Sequence, residues 1–259
     1  MILDDILAET RQAVADRQQR VPFTEVMKQA IAADRPRGFA RALRARKGMA
    51  CIAEFKRRSP SRGWIRQDAD PAAVVREYAA AGAAAISVLT DAPFFGGSVE
   101  DLIRARAEVS LPVLCKDFIV DAYQIAEARS AGADAVLLIA AALGEREMGD
   151  LIGETRLWGM DALVETHDAD EVATAVVAGA TVIGINHRDL RTFAMNMDLA
   201  VSLRPRIPDR CLVVAESGVR TRADVERLAQ AGIDAILVGE TLMQAEDPAA
   251  ALRELLGEG

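Results

Sequence analysis

Eight short apolar runs recur along the chain, roughly twenty to thirty-five residues apart, and the best of them stop on an ionisable or amide side chain. The runs are Met49–Phe55, Ala84–Leu89, Leu111–Cys115, Ala135–Ile139, Asp161–Val164, Thr181–Ile185, Cys211–Ala215 and Ala235–Val238; the polar stops are Glu54 with Lys56, Lys116, Glu165, Asn186 and Glu216. Alanine-rich amphipathic stretches of helical length separate the runs, for example Pro71 to Ala81 and Ala122 to Ala131. Strand alternating with helix at this spacing predicts parallel strands joined by right-handed crossovers. Closing such a set on itself gives a (β/α)8 TIM barrel, in which all strand carboxyl ends open at one mouth. Residues scattered from position 54 to position 216 would then meet there.

A length of 259 residues suits one such barrel, so the expected organisation is a single domain over 1–259, with 1–47 as an N-terminal helical extension. Helical spacing appears in Leu3, Ile6, Leu7 and Val14, and again in Val26, Ala30 and Ile31, with breaks at Pro22 and at Arg35-Pro36-Arg37-Gly38. An echo of Ala-Gly closes the helices before strands two, four, six and eight, at Gly82, Gly132, Gly179 and Gly232. An open doubly wound sheet would carry similar caps. No GxGxxG follows the first strand, however, which favours the closed barrel and removes a dinucleotide site.

A formal charge of -8 and a pI near 5.0 disfavour a nucleic-acid partner, which needs a basic face. No apolar run approaches membrane-spanning length and the first residues lack a signal-peptide pattern, so a cytoplasmic protein with no membrane partner is expected. Cys51, Cys115 and Cys211 share no CxxC spacing. Strand alternation turns them opposite to the polar stops, toward the helices, as buried apolar residues.

The loop after strand one, Ala53 to Gly63, holds four basic side chains. Lys56 shares its facing with Glu54 and is placed by it, whereas Arg57, Arg58 and Arg62 read equally as anion contacts or as a solvated charge run. After strands seven and eight come Ser217-Gly218-Val219 and Gly239-Glu240-Thr241, where glycine lets backbone N–H groups approach a phosphate beside a short helix. Glu240 would repel that phosphate, so it reads as a helix N-terminal acid whose side chain turns away, leaving its backbone N–H to bind. Lys116 and Glu165 end buried strands, where neighbours shift pKa values, and are either an acid–base couple or a structural ion pair. Asn186 and Arg188 share a facing and suit substrate orientation. His167 and His187 read as loop residues, and no triad or metal-ligand spacing involves them.

Seven segments in order, AEFKRRSPSRG, TDAPFFGGS, LPVLCKDF, LVETH, IGINHRDL, VAESGV and VGETLM, together resemble the indole-3-glycerol phosphate synthase family over nearly the whole chain. The departures are His187 where a second Asn is common, Arg62 where Lys is common, and Glu240 where some members have Ser. The resemblance implies a cofactor-free, metal-free ring closure of 1-(2-carboxyphenylamino)-1-deoxyribulose 5-phosphate with loss of CO2 and water. It implies Lys116 as general acid, Glu165 for the proton transfers of dehydration, and Lys56, held by Glu54, at substrate anions. Ser59 and Arg188 would meet the carboxylate, and Asn186 and Glu216 the hydroxyls and anilino nitrogen. Ser217 falls in the same catalytic set. Gly218, Gly239 and Glu240 would meet the phosphate through backbone groups, and Phe94, Phe95 and Phe118 would wall the aromatic ring. A phosphosugar–anthranilate small molecule is thus the expected partner, with a monomer as the expected state. Two other readings stay open on the residues alone: a phosphosugar isomerase or epimerase, and a non-catalytic barrel that binds phosphorylated ligands.

Overall fold

A computed structural model describes residues 2–189 and 192–257. Leu190, the last residue of the IGINHRDL segment, and Met1, Glu258 and Gly259 at the ends of the expected domain lie outside them. Eight parallel strands close into a barrel: β1 Ala50–Phe55, β2 Ala85–Leu89, β3 Val113–Lys116, β4 Ala135–Ile139, β5 Asp161–Thr166, β6 Val182–Asn186, β7 Leu212–Glu216 and β8 Ala235–Val238. Followed pair by pair from Ile52 round all eight strands, the register returns to β1 eight residues below its start. That stagger is the shear of a (β/α)8 barrel and sets the strand tilt. Four strands run one or two residues farther than the apolar runs indicate, so Lys116, Glu165, Asn186 and Glu216 lie inside strands and keep their alternation.

Alternation divides the core in two. Residues such as Cys51, Val88, Cys115, Val136, Val164 and Ile236 point outward to the helices, and all three thiols lie in or beside this layer, as their parity predicts. Inward-pointing Ala50, Ala85, Ala135 and Ala235 form a narrow floor, with Ile52, Leu114, Leu137, Leu163, Val214 and Leu237 above it. Apart from Asp161 at the floor, charge among the inward-pointing side chains begins in the uppermost layer. The aspartates of the Ala-Gly echoes have a task at the floor: buried Asp134 accepts the Val113 N–H at 2.7 Å and Asp234 accepts the Val213 N–H at 2.8 Å, each tying a strand start to its neighbour.

The N-terminal extension spans the full height of the barrel. Helix α1, Ile2–Arg20, places Leu3, Ile6 and Leu7 against the apolar cluster at the mouth, and α2, Phe23–Ala32, packs on the helix Ala122–Ser130. Helix α3, Phe39–Ala45, pushes Phe39 and Leu43 into the cluster at the floor. Polar ties fix its course, with the Arg37 N–H donating to Asp134 at 2.6 Å and the Ala40 N–H to Asp161 at 2.9 Å. After β1, the basic loop carries a small antiparallel ladder, Arg58–Ser59 with Gly63–Trp64, which the apolar pattern does not indicate. Among the described residues, no helix is long and apolar enough to cross a membrane.

Candidate active site

Five strands deliver one charged or amide side chain each into the top of the barrel. Glu54, Glu165, Asn186 and Glu216 are all at most 5% exposed, and Lys116 stands among them. Its Nζ lies 3.3 Å from Glu216, 3.4 Å from Glu54 and 3.9 Å from Glu165. Lys56, from the loop above β1, meets the other oxygen of Glu54 at 2.8 Å. One ammonium inside a ring of three carboxylates is a different arrangement from the single Lys116–Glu165 pair that the spacing suggests.

Two glycines make the room for it. A Cβ on Gly184 would collide with the Glu216 carboxylate, and one on Gly239 with that of Glu54. Each carboxylate therefore lies over a neighbouring strand where a side chain is missing, which is what a lone glycine in or just beyond a strand permits.

Electrostatics separates the carboxyls. Burial works against the charge on Lys116, but Glu54, Glu216 and Glu165 outweigh it and raise its pKa, so it stays protonated. Burial also opposes ionisation of Glu165, yet His167, Lys116 and the Asn186 amide together hold its pKa low. Glu216 moves the other way: burial raises it, and the nearby Glu165 charge adds to the rise against the pull of Lys116. Two carboxyls beside one ammonium thus differ in protonation, the pattern of an acid–base pair.

The histidine after β5 belongs to this group and is not an idle loop residue. His167 Nε2 lies 3.4 Å from Glu165, and its Nδ1 is 3.1 Å from Glu171. Burial disfavours its charge, but these two carboxylates prevail and raise its pKa to about 10. The sequence signal was present, since Glu165 and His167 are two residues apart and share a facing. Asn186 is fixed at both ends, donating to Glu165 at 3.1 Å while its oxygen accepts the Arg188 N–H at 3.0 Å.

One cavity, about 1180 Å³ with its open mouth, takes in Glu54, Lys56, Ser59, Phe95, Lys116, Phe118, Glu165, Asn186, Arg188, Ser217, Gly218, Gly239 and Glu240. Phe95 and Phe118 wall one side with ring centroids 6.1 Å apart, and Leu3 and Ile6 of α1 roof it. Phe94 packs on the same apolar cluster but is not part of the lining. Two aspartates set the wall: Asp91 accepts the N–H groups of Phe94 and Phe95, at 2.8 and 3.0 Å, and Asp117 accepts the Phe118 N–H at 2.8 Å and the Thr90 hydroxyl at 2.6 Å. The sequence reading missed both because their partners are main-chain groups and one hydroxyl at the end of another strand, none of which leaves a spacing signal.

Opposite the aromatic wall, Ser217 and Gly218 both take left-handed backbone, φ 64° and 78°. For Ser217 this conformation costs on the order of 1 kcal/mol, so the surroundings must hold it. The Thr241 hydroxyl donates to the Val219 carbonyl at 2.8 Å and ties the β7 and β8 loops together. The Glu240 side chain remains at the cavity, clasped by Arg62 at 3.0 Å and Arg188 at 3.3 Å, so neighbouring guanidinium groups offset its charge. Arg188 also donates to Ser61 at 2.6 Å, and Ser61 lies 3.4 Å from the Ser59 hydroxyl. The basic loop separates accordingly: Arg62 faces the site, whereas Arg57 is a strut between Asp101 and the Phe55 ring.

Comparison with known proteins agrees with this geometry. The chain matches the family model "Indole-3-glycerol phosphate synthase" over residues 3–255. Curated relatives of that name include one from Rhizorhabdus wittichii, 48% identical over 98% of this chain and 97% of that protein. Another, from Koribacter versatilis, is 47% identical over 98% of both chains. A solved thiamine phosphate pyrophosphorylase from Pyrococcus furiosus superposes with a TM-score of 0.59 at 17% identity, covering 80% of this chain and 93% of that one, a likeness of fold alone. With matches that run almost from end to end, the chain belongs to the indole-3-glycerol phosphate synthase family.

Proposed function

We propose that Lys116, Glu165 and Lys56 divide the proton transfers of the reaction that family membership gives this chain. That reaction is the ring closure of 1-(2-carboxyphenylamino)-1-deoxyribulose 5-phosphate, with loss of CO2 and water, to indole-3-glycerol phosphate, a carboxy-lyase step of tryptophan biosynthesis. The observation that carries the assignment is the Lys116 ammonium, ringed by Glu54, Glu165 and Glu216 at 3.3 to 3.9 Å on the cavity wall.

Lys116 is protonated and placed to donate to the ribulose carbonyl oxygen as the aromatic ring attacks that carbon. Loss of CO2 restores aromaticity, and the hydroxyl so formed leaves as water. Glu165, held ionised by His167, Asn186 and Lys116, is the base of the dehydration, with Lys56 or the protonated Glu216 returning the proton. Glu54 positions Lys56. Asn186 and Ser217 orient substrate hydroxyls. Arg188 and Ser59 take the carboxylate, Phe95 and Phe118 enclose the benzene ring, and the main chain at Gly218, Gly239 and Glu240 takes the phosphate. Phe94 packs on the same apolar cluster as Phe95, outside the cavity lining.

Incubation with the carboxyphenylamino-deoxyribulose phosphate should give indole fluorescence in wild type. In Lys116→Ala it should give essentially none, while substrate still binds. Near-full turnover by Lys116→Ala would remove the acid from Lys116.

A further inference from the structure

Among the described residues, the ring of His187 has a single polar engagement. It is 1% exposed, and its Nδ1 lies 2.9 Å from the carbonyl oxygen of Ser217. A carbonyl only accepts, so Nδ1 carries the proton and donates. The His187 backbone faces the same way, its N–H donating to the Glu216 carbonyl at 3.0 Å. The returning end of its loop packs there too, since a Cβ on Gly218 would press on Met195 and Met197. The histidine thus grips two successive carbonyls at the end of β7.

A planar trans peptide directs its C=O and N–H in opposite senses. The carbonyl that His187 holds belongs to the Ser217–Gly218 peptide, so fixing it fixes the Gly218 N–H on the other side. Gly218 lines the cavity, and none of the hydrogen bonds among the described residues uses its N–H. The same grip opposes relaxation of Ser217 from its left-handed conformation.

The geometry points to His187 as a positioning residue that aims the Gly218 N–H at the substrate phosphate by holding the preceding carbonyl. This rests on the phosphate reading of the β7 loop. His187 touches no substrate. Its task is the donor atom three bonds from Cα, and the Nδ2 of asparagine stands at the same remove, so either residue satisfies the carbonyl.

The test uses wild type, His187→Ala and His187→Asn, with inorganic phosphate as the probe. In wild type, phosphate should compete with substrate and shift the Gly218 amide resonance. His187→Ala should raise both KM and the phosphate inhibition constant on the order of tenfold, with kcat within about threefold of wild type, and His187→Asn should restore both. Equal constants in His187→Ala and wild type, or an asparagine variant as impaired as the alanine one, overturn the inference. If His187→Ala fails to fold, the wild-type amide decides: competition by phosphate without a Gly218 shift overturns the role of His187 alone. No competition by phosphate overturns the phosphate reading and the inference with it.

Discussion

At the scale of single residues, the centre depends on atoms that are missing as much as on those present. Gly184 gives the Glu216 carboxylate its place beside Lys116. Gly184→Ala should cost about 1–3 kcal/mol of stability by overpacking a buried layer, and should lower kcat at least about tenfold by turning Glu216 off the ammonium. Calorimetry and steady-state kinetics check this, and a fully active alanine variant would show that the carboxylate has other room. The opposed shifts of Glu165 and Glu216 give a second expectation. The basic side of the wild-type pH–rate profile should include the loss of the Glu216 proton, a limb that Glu216→Gln removes, while Lys116 stays charged throughout. An identical profile in the variant assigns that limb elsewhere. These charged stops were legible in the sequence because strand parity and a common mouth are local rules. The ring of three carboxylates was not, since which acid lies nearest Lys116 depends on shear and on the absent Cβ atoms of strands remote in sequence.

Among the elements, α1 contributes most that a bare barrel would lack. Its Leu3 and Ile6 close the cavity from above, and Arg17 anchors it to Glu127 of the helix Ala122–Ser130 at 3.0 Å. Ile6→Ala should raise KM several-fold and leave kcat within about threefold, because the roof excludes water and encloses the substrate while the proton donors stay on strands. Steady-state kinetics at saturating substrate separates the two terms; an unchanged KM would make the roof dispensable. The eight strands and the helical extension were readable from apolar periodicity, within a residue or two at the ends. The Arg58–Ser59 and Gly63–Trp64 ladder was hidden in a run of charge, because a two-residue ladder has no periodicity of its own and Trp64 packs on the distant Gly96. Arg57 was ambiguous because its partner Asp101 lies on the helix Val99–Glu108, far along the chain.

At the scale of the whole molecule, chemistry and stability are stacked along the barrel axis, with polar groups crowded at one end over an apolar plug. Some of the polar end is itself stabilising. His167 has its pKa raised to about 10 in the folded state, against an ordinary value of 6.5, by Glu165 and Glu171 in spite of burial. A group shifted upward contributes stability in full below pH 6.5, and that contribution is lost as pH rises toward 10. Urea unfolding at pH 6, 8 and 10 should show this decline, and His167→Asn should flatten it; parallel curves for the two proteins would rule it out. The course of the N-terminal extension bears on how the chain comes off the ribosome. Residues 2–45 are made before the groups they dock on: Glu127, Asp134, Asp161 and, for Arg44, the carbonyl of Arg210 at 3.0 Å. β1 must wait longer still, for β8 at the far end of the chain. This segment is therefore among the last to find its partners, and for most of the synthesis of the barrel its apolar face is left to chaperones or to solvent.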